Sequence, residues 1–341
     1  MKPILLGKTL EELQQVALSV GLQKFAGKQL AEWLYVRRAS SFDEMTNISL
    51  KGREALKESY AIGRHKPVAE AVSKDGTKKY LFKIGEQYIE SVYIPDEDRA
   101  TLCVSTQAGC KMGCRFCMTG TLGFHGQLDA SEILNQIFSI PDSERLTNIV
   151  YMGEGEPMDN VDNVLRSLNA MTQSWGCAWS PKRITVSSVG VLPGLKRFLD
   201  ESECHIAISL HNPFSVERQT VMPIEKRYHL SDVIDLLKEY DWQHQRRVSF
   251  EYICWHEQND TVRHANELIR ILKGLVCRIN LIRFHAGVDQ VFASSDEKQM
   301  EWMRDYLTNK GITTTIRRSR GEDILAACGM LVNALKQKNE D

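Results

Sequence analysis

The spacing of apolar positions changes character along the chain. Over residues 8–62 it is helical: Leu10, Leu13, Val16, Ala17 and Val20 recur at three- and four-residue steps, and Leu30, Trp33 and Leu34 share a face of a second helix over 26–37. Ser40, Ser41 and Asp43 break the pattern, and 51–60 predicts a third helix. From Pro67 the period drops to two. Residues 68–72 and 79–83, joined through Asp75-Gly76, predict a hairpin, with further strands at 88–94 and 100–105. Beyond that, helices at 128–140, 160–174, 193–201, 230–240, 261–272 and 296–310 alternate with strands at 146–152, 183–187, 205–209, 248–253, 277–282 and 313–316. Apolar strands between amphipathic helices predict a parallel sheet covered by helices. About six βα units fit an α/β fold of the open or partial barrel kind, with its site at the C-terminal ends of the strands.

The composition narrows the class. Apolar residues make up 43% of the 341-residue chain and charged residues 26%, as in an ordinary globular protein. No apolar run approaches the roughly 18 residues that span a bilayer, and Met-Lys-Pro-Ile-Leu-Leu-Gly-Lys has no signal-peptide core. The nine cysteines are odd in number, which favours a reducing cytoplasm over a disulfide framework. With a net charge of −1, a nucleic-acid partner has to be met by local patches. Lys28, Arg37, Arg38, Lys51 and Arg53 on the helical module are candidates for such a patch or for a plain solvated face.

The chemistry centres on Cys103-Val-Ser-Thr-Gln-Ala-Gly-Cys110-Lys-Met-Gly-Cys114-Arg-Phe-Cys117. Cys110, Cys114 and Cys117 stand close enough for their thiolates to converge on a metal or an iron–sulfur cluster. Zinc would ask for a fourth ligand, for which His125 is the nearby candidate, and a redox dithiol needs only the last pair. A [4Fe–4S] cluster held by three cysteines keeps one iron open for a ligand, the logic that separates open from closed zinc sites. Phe116 stands between the last two cysteines, placed to shield such a centre.

Other signals fall at strand ends. The strand at 146–152 runs into Gly153-Glu154-Gly155-Glu156-Pro157, where glycines admit a ligand and a carboxylate can accept from an ammonium group. The next strands end in Ser187-Ser188 and in Ser209-Leu210-His211-Asn212. Near the C-terminus, Arg317, Arg318 and Arg320 precede Cys328-Gly329, a setting that favours an exposed, partly ionised thiol. Cys177, Cys204, Cys254 and Cys277 read as buried filler.

Across nearly the whole chain these motifs resemble the RlmN/Cfr family of radical-SAM RNA methyltransferases, and more its RlmN branch. The resemblance is carried by Arg99-Ala-Thr-Leu-Cys103-Val-Ser, CxxxCxxC, Gly155-Glu156-Pro157, Ser209-Leu210-His211 and Arg320-Gly-Glu-Asp-Ile-Leu-Ala-Ala-Cys328-Gly. It implies a partial (βα)6 radical-SAM barrel over 96–325, a helical RNA-binding domain over 1–65, a β-hairpin extension over 66–95 and a C-terminal segment over 326–341. It further implies a [4Fe–4S] cluster on Cys110, Cys114 and Cys117, and S-adenosylmethionine bound by Gly155, Glu156, Ser187, Ser209, Leu210, His211 and His285. One position departs: many relatives carry Asn where this chain has His285.

The implied reaction is methylation of adenine C2 in 23S rRNA and tRNA, with two molecules of S-adenosylmethionine per turnover. Adenine C2 has no nucleophilic lone pair, so radical chemistry is needed. Cys328 matches the thiol that carries the methyl group as S-methylcysteine, Glu90 the proton acceptor, and Cys103 the thiol that later pairs with Cys328. The implied partners are 23S rRNA, tRNA and an electron donor such as flavodoxin or ferredoxin, for a monomer in the cytoplasm. The competing readings are Cfr-like C8 methylation and a non-catalytic iron–sulfur or zinc RNA-binding protein.

Overall fold

A computed structural model describes residues 2–242, 246–285, 292–327 and 330–331. Its first helices are Leu10–Ser19 (α1), Ala26–Ala31 (α2) and Leu50–Ser59 (α3). Thr9 and Glu12 form a reciprocal capping box that starts α1. The single helix expected over 26–37 divides: α2 gives way to a π-helical turn, Glu32–Val36, in which Trp33, Leu34 and Tyr35 are all buried. The wider turn brings consecutive side chains inward where an α-helix would turn one of them out.

The extended region is an antiparallel meander of Ala69–Val72 (β1), Lys78–Ile84 (β2) and Gln87–Pro95 (β3), continued by Ala100–Cys103 (β4). The cysteine-bearing loop holds Gln107–Gly109 (β5), Met118–Thr121 (α4) and Phe124–Gln127 (β6). Then follow Ala130–Ser139 (α5), Asn148–Tyr151 (β7), Val161–Thr172 (α6), Ile184–Ser188 (β8), Leu192–Glu201 (α7) and His205–Ser209 (β9). The rest comprises Ser215–Val221 (α8), Leu230–Lys238 (α9), Val248–Cys254 (β10), Val262–Ile271 (α10), Cys277–Arg283 (β11), Glu297–Asn309 (α11) and Thr313–Arg317 (β12).

Among the described residues the main sheet has ten strands in the order β1-β2-β3-β4-β7-β8-β9-β10-β11-β12. From β4 to β12 every neighbouring pair is parallel, each joined by a helical crossover. The sheet is open, with β1 and β12 at its edges, so the expected partial barrel is present and its meander extends the first parallel strand. All seven residues of β10 are buried, as for a strand covered on both faces. The short β5–β6 ladder and α8 were not apparent from periodicity, because elements of three to seven residues give too few repeats to show one.

The helical module packs onto the outer helices. Arg166 of α6 pairs with Glu12 at 2.6 Å, and the Tyr35 and Trp175 rings meet edge-on at 5.5 Å. One apolar core runs from Leu13 and Leu30 through Ile133 and Leu134 of α5 to Ile149 of β7. Among the described residues, no helix is long and apolar enough to cross a membrane.

Candidate active site

The cysteine loop is shaped by close backbone approaches. Gly109 sits at φ +70, and a Cβ there would lie 1.9 Å from the Gly123 carbonyl oxygen. Only glycine lets the Cys110 amide donate to that carbonyl at 2.9 Å. Cys110, Cys114 and Cys117 then line one cleft of about 850 Å³, open mouth included, together with Gly155, Glu156, Ser187, Ser209 and His211. Burial pushes the Cys110 thiol up to about 12 and the Cys114 and Cys117 thiols above their ordinary value, and mutual repulsion adds to the effect at Cys110 and Cys114. Such a dry cluster of thiols ionises when a positive centre offsets the cost. Among the described residues, no group of three His, Cys, Asp or Glu side chains is gathered tightly enough for a single metal ion. A multi-iron cluster takes one thiolate per iron and does not need the sulfurs to meet at a point, so the donor set fits it. Phe116 packs edge-on against His211 at 4.7 Å and tilts against Trp255 at 5.4 Å, walling the cleft.

The strand ends supply the opposite wall. Gly155, at φ +98, lies so close to Gln107 that a Cβ would stand 2.5 Å from that residue's Cβ. The Glu156 carboxylate accepts from the Met158 amide at 3.0 Å, the Ser188 hydroxyl at 2.7 Å and the Val189 amide at 2.9 Å. A carboxylate has about four acceptor positions, so these donors leave room for one more. Burial nevertheless holds Glu156 up at about 7. His211 has left-handed backbone, φ 55, and its Nδ1 accepts from the Ile253 amide at 3.1 Å. Burial lowers it to about 3, so the ring is neutral with its proton on Nε2.

Two of the sequence-predicted cofactor residues lie apart from this wall. Leu210 has no exposed surface and contributes its side chain to the core. His285 lines a neighbouring basic cleft with Arg99, Arg317, Arg318 and Arg320, and its Nε2 is 2.6 Å from the Ser319 hydroxyl.

On the meander side, Glu90 and Lys79 are buried together at 3.0 Å. The Glu90 amide donates to Glu154 at 2.8 Å, and Gly109 donates to the same carboxylate at 3.3 Å, so Glu154 ties β3 to the cysteine loop. Cys103 is half-buried at the end of β4 and packs against a small apolar cluster of Val92, Ala326 and Leu331. The Thr119 hydroxyl donates to the Leu331 carbonyl at 3.1 Å, two residues beyond Cys117. Cys328 lies outside the described residues; Ala327 and Met330 on either side of it are buried.

Comparison with known proteins accounts for this assembly. Residues 4–62 match the ribosomal RNA large subunit methyltransferase N-terminal domain, and residues 104–269 match the radical SAM superfamily. The probable dual-specificity RNA methyltransferase RlmN of Porphyromonas gingivalis is 56% identical over 341 residues, covering 100% of this chain and 97% of that protein. The chain belongs to the RlmN family of radical SAM methyltransferases. The counterpart from Phocaeicola vulgatus is 55% identical over 99% of this chain and 97% of its own length. The dual-specificity RNA methyltransferase RlmN of Geobacter sulfurreducens is 38% identical over 96% and 92%. A crystal structure of a radical SAM methyltransferase from Sphaerobacter thermophilus superposes with a TM-score of 0.90 at 35% identity, covering 96% of this chain and 99% of that one. As members of that superfamily, RlmN proteins use a [4Fe–4S] cluster and S-adenosylmethionine.

Against this RlmN frame, sequence reasoning missed Arg218. It is fully buried, and its guanidinium donates to the carbonyls of Ser209 at 2.9 Å, Leu210 at 3.0 Å and Val189 at 3.1 Å while pairing with Glu225. It therefore holds the loops after β8 and β9 together behind the cleft. An arginine in Ser-Val-Glu-Arg reads as an exposed helix residue, and nothing local marks it otherwise. Ser188 was quoted only as the neighbour of Ser187, yet it is Ser188 that bonds Glu156. The alternation of inward and outward positions along β8 distinguishes the two.

Proposed function

We propose that the protein methylates C2 of a specific adenosine in 23S rRNA and in tRNA, carrying the methyl group on Cys328. The observation that supports this best is the meeting of Cys110, Cys114 and Cys117 with Gly155, Glu156, Ser187, Ser209 and His211 around one cleft, next to the meander that carries Cys103 and Glu90. The relatives at 55–56% identity are named dual-specificity RNA methyltransferases, which favours the C2 reading over the C8 one.

Cys110, Cys114 and Cys117 are the residues that would hold the [4Fe–4S] cluster, and Glu156, Ser187, Ser209 and His211 those that would hold S-adenosylmethionine. When bound, the pair supplies one-electron reductive chemistry that activates an otherwise inert C–H bond. Glu156 offers its remaining acceptor position to the cofactor's ammonium group. Phe116, Trp255 and His211 keep water from the reacting centre. The Cys328 thiolate accepts a methyl group and presents it to the base as a thioether. Once the thioether carbon, one hydrogen poorer through that radical chemistry, is joined to C2 of the base, Glu90 would take the C2 proton. The odd electron left on the base would return to the one-electron chemistry the bound group supplies. Cys103 then attacks the Cys328 sulfur: an S–S bond forms, the C–S bond breaks, and its electron pair stays with the carbon, which takes up a proton to become the methyl product. A thiol reductant restores both cysteines. The target adenine has to leave its stack to reach a site this enclosed, which favours loops of structured RNA.

The reading makes the protein a monomer of the cytoplasm, served by a small one-electron donor protein such as flavodoxin or ferredoxin. Its test is the asymmetry of the two thiols. Cys103→Ala should accumulate protein cross-linked to RNA on a denaturing gel, because the thioether adduct has no thiol to resolve it, and Cys328→Ala should carry none. Adenosines from a deletion strain should lack 2-methyladenosine by mass analysis. A deletion strain that retains 2-methyladenosine, or two variants that both methylate normally, would overturn the assignment.

A further inference from the structure

The stretch 321–325, which leads from β12 into the C-terminal segment, is held by the turn between β1 and β2. The Ser73 hydroxyl donates to Asp323 at 2.5 Å, and the Lys74 amide donates to the same carboxylate at 3.2 Å. Asp75 accepts from the Gly321 amide at 3.0 Å and, through its other oxygen, from the Thr77 amide at 2.9 Å. Gly321 has φ +63, and a Cβ there would stand 2.8 Å from the Thr77 Cγ2, so the segment lies directly on the turn. One strand further in, the Lys79 ammonium, 1% exposed, donates to the Leu325 carbonyl at 3.2 Å while pairing with Glu90 at 3.0 Å. These contacts join positions 246 to 250 residues apart in sequence.

A buried lysine in a strand is a costly choice. The cost of desolvating it is roughly returned by its ion pair, so a well-packed apolar side chain would hold the sheet as well. What the ammonium adds is location: one group touches both the carboxylate of β3 and a carbonyl three residues before Cys328. Beyond that point Ala326 and Leu331 pack with Cys103 and Val92. The described residues on either side of Cys328 are thus packed against the cluster that holds the β4 thiol.

We propose that the β1–β2 turn, with Ser73, Asp75 and Lys79, is a clasp that seats the C-terminal segment and sets the effective concentration of Cys328 at Cys103. These are positioning residues for the thiol exchange, not catalytic ones. The inference rests on the function proposed above. A tethered thiol pair forms its disulfide in proportion to that effective concentration, so releasing the clasp weakens the Cys103–Cys328 disulfide without altering either cysteine.

The test is a thiol–disulfide equilibrium of the holoenzyme in glutathione buffers, read by mass spectrometry as the fraction of Cys103–Cys328 disulfide. In Asp75→Ala/Asp323→Ala, whose changes are on the surface, the equilibrium constant should fall about tenfold, a shift of about 30 mV for a two-electron couple. Lys79→Met should fall at least as far and Lys79→Arg should recover part of it. Iron content and thermal midpoint of the surface variant serve as the folding control. A surface variant that folds, loads iron and keeps the wild-type disulfide equilibrium overturns the clasp. A wild-type protein that forms no Cys103–Cys328 disulfide at all overturns the functional reading itself, and the clasp with it.

Discussion

Replacing Arg218 by methionine tests whether the cleft depends on a charge that never touches a ligand. The guanidinium has no exposed surface and is shared among Glu225 and the carbonyls of Ser209, Leu210 and Val189. Removing it leaves the Glu225 carboxylate buried without its cation, which costs about 3–5 kcal/mol. Each carbonyl left dry adds up to about 1–3 kcal/mol. These terms cannot simply add, because their sum would reach the whole stability of a typical domain, about 5–15 kcal/mol. Water entering from the cleft side will satisfy some of the carbonyls, so a loss of about 4 kcal/mol is expected. Adding Glu225→Gln removes the stranded charge while keeping an acceptor for the Leu230 amide, now bonded at 3.1 Å, and the double variant should recover about 2 kcal/mol of that loss. Anaerobic urea denaturation followed by circular dichroism measures both. Calorimetry of S-adenosylmethionine binding should show at least a tenfold weakening in Arg218→Met, since the Val189 amide that bonds Glu156 moves with the loop. A single variant that loses less than 1 kcal/mol, or a double variant no more stable than the single, would refute the reasoning.

Glu154 and Glu156 are held up at about 8 and about 7 by burial, against an ordinary value of 4.5. Raised carboxyls make the folded state bind protons that the unfolded chain has released, whereas His211 and His205, lowered by burial to about 3 and about 4, give the opposite slope below 6.5, so the stability of the cofactor-free protein should fall as pH rises from 6.5 to 8. Denaturation midpoints across that window should show the slope, and Glu154→Gln should flatten it. Asp75 and Glu217, both lowered to about 2 by hydrogen bonds that outweigh burial, titrate below the window and leave it clear. RNA affinity should rest on the exposed Lys28 and Lys51 and on Arg318 at the basic cleft. Charge reversal at Lys28 and Lys51 should weaken tRNA binding, and Arg318→Ala should lower the salt slope by about 1, read by fluorescence anisotropy.

How much could be read in the sequence depended on how local the cause was. The parallel strands and their helices were legible because each is long enough to show its period, and His205–Ser209 was placed to the residue. The thiols and glycines were legible because a loop that wraps a ligand needs particular residues at particular spacings. The reach of the helical module was not. Leu13 and Leu30 share a core with α5, so deleting residues 1–65 would expose that core rather than simply remove an RNA-binding surface. His285 was placed with the cofactor wall by analogy of position; in the structure its neighbours are Ser319 at 2.6 Å and Glu322 at 3.6 Å. Arg218 and Lys79 were invisible for a shared reason. A buried charge is stable only through partners supplied by distant segments, and those partners leave no periodic trace around it.

The open sheet explains why the distant pieces meet where they do. A partial barrel ends in unpaired edges, and here β12 lies at one edge while the meander extends the other. The chain leaves β12 at Arg317 and immediately crosses to the meander: Arg320 reaches Asp96 at 3.2 Å, Gly321 reaches Asp75, and Leu325 reaches Lys79. The crossing segment therefore spans the side of the barrel that the sheet leaves open, above the strand ends that line the cleft. Glu90 and Cys103 belong to the strands it lands on. The crossing ties both edges of the sheet together, whereas a segment fixed to one strand would have a single reach. On the proposed mechanism, that geometry suits a thiol following the crossing that has to face a base during transfer and a second thiol afterwards. On that proposal it also accounts for the division of residues along the chain: the barrel strands carry the residues proposed for the cofactor wall, and the meander carries those proposed to act once the base is attached.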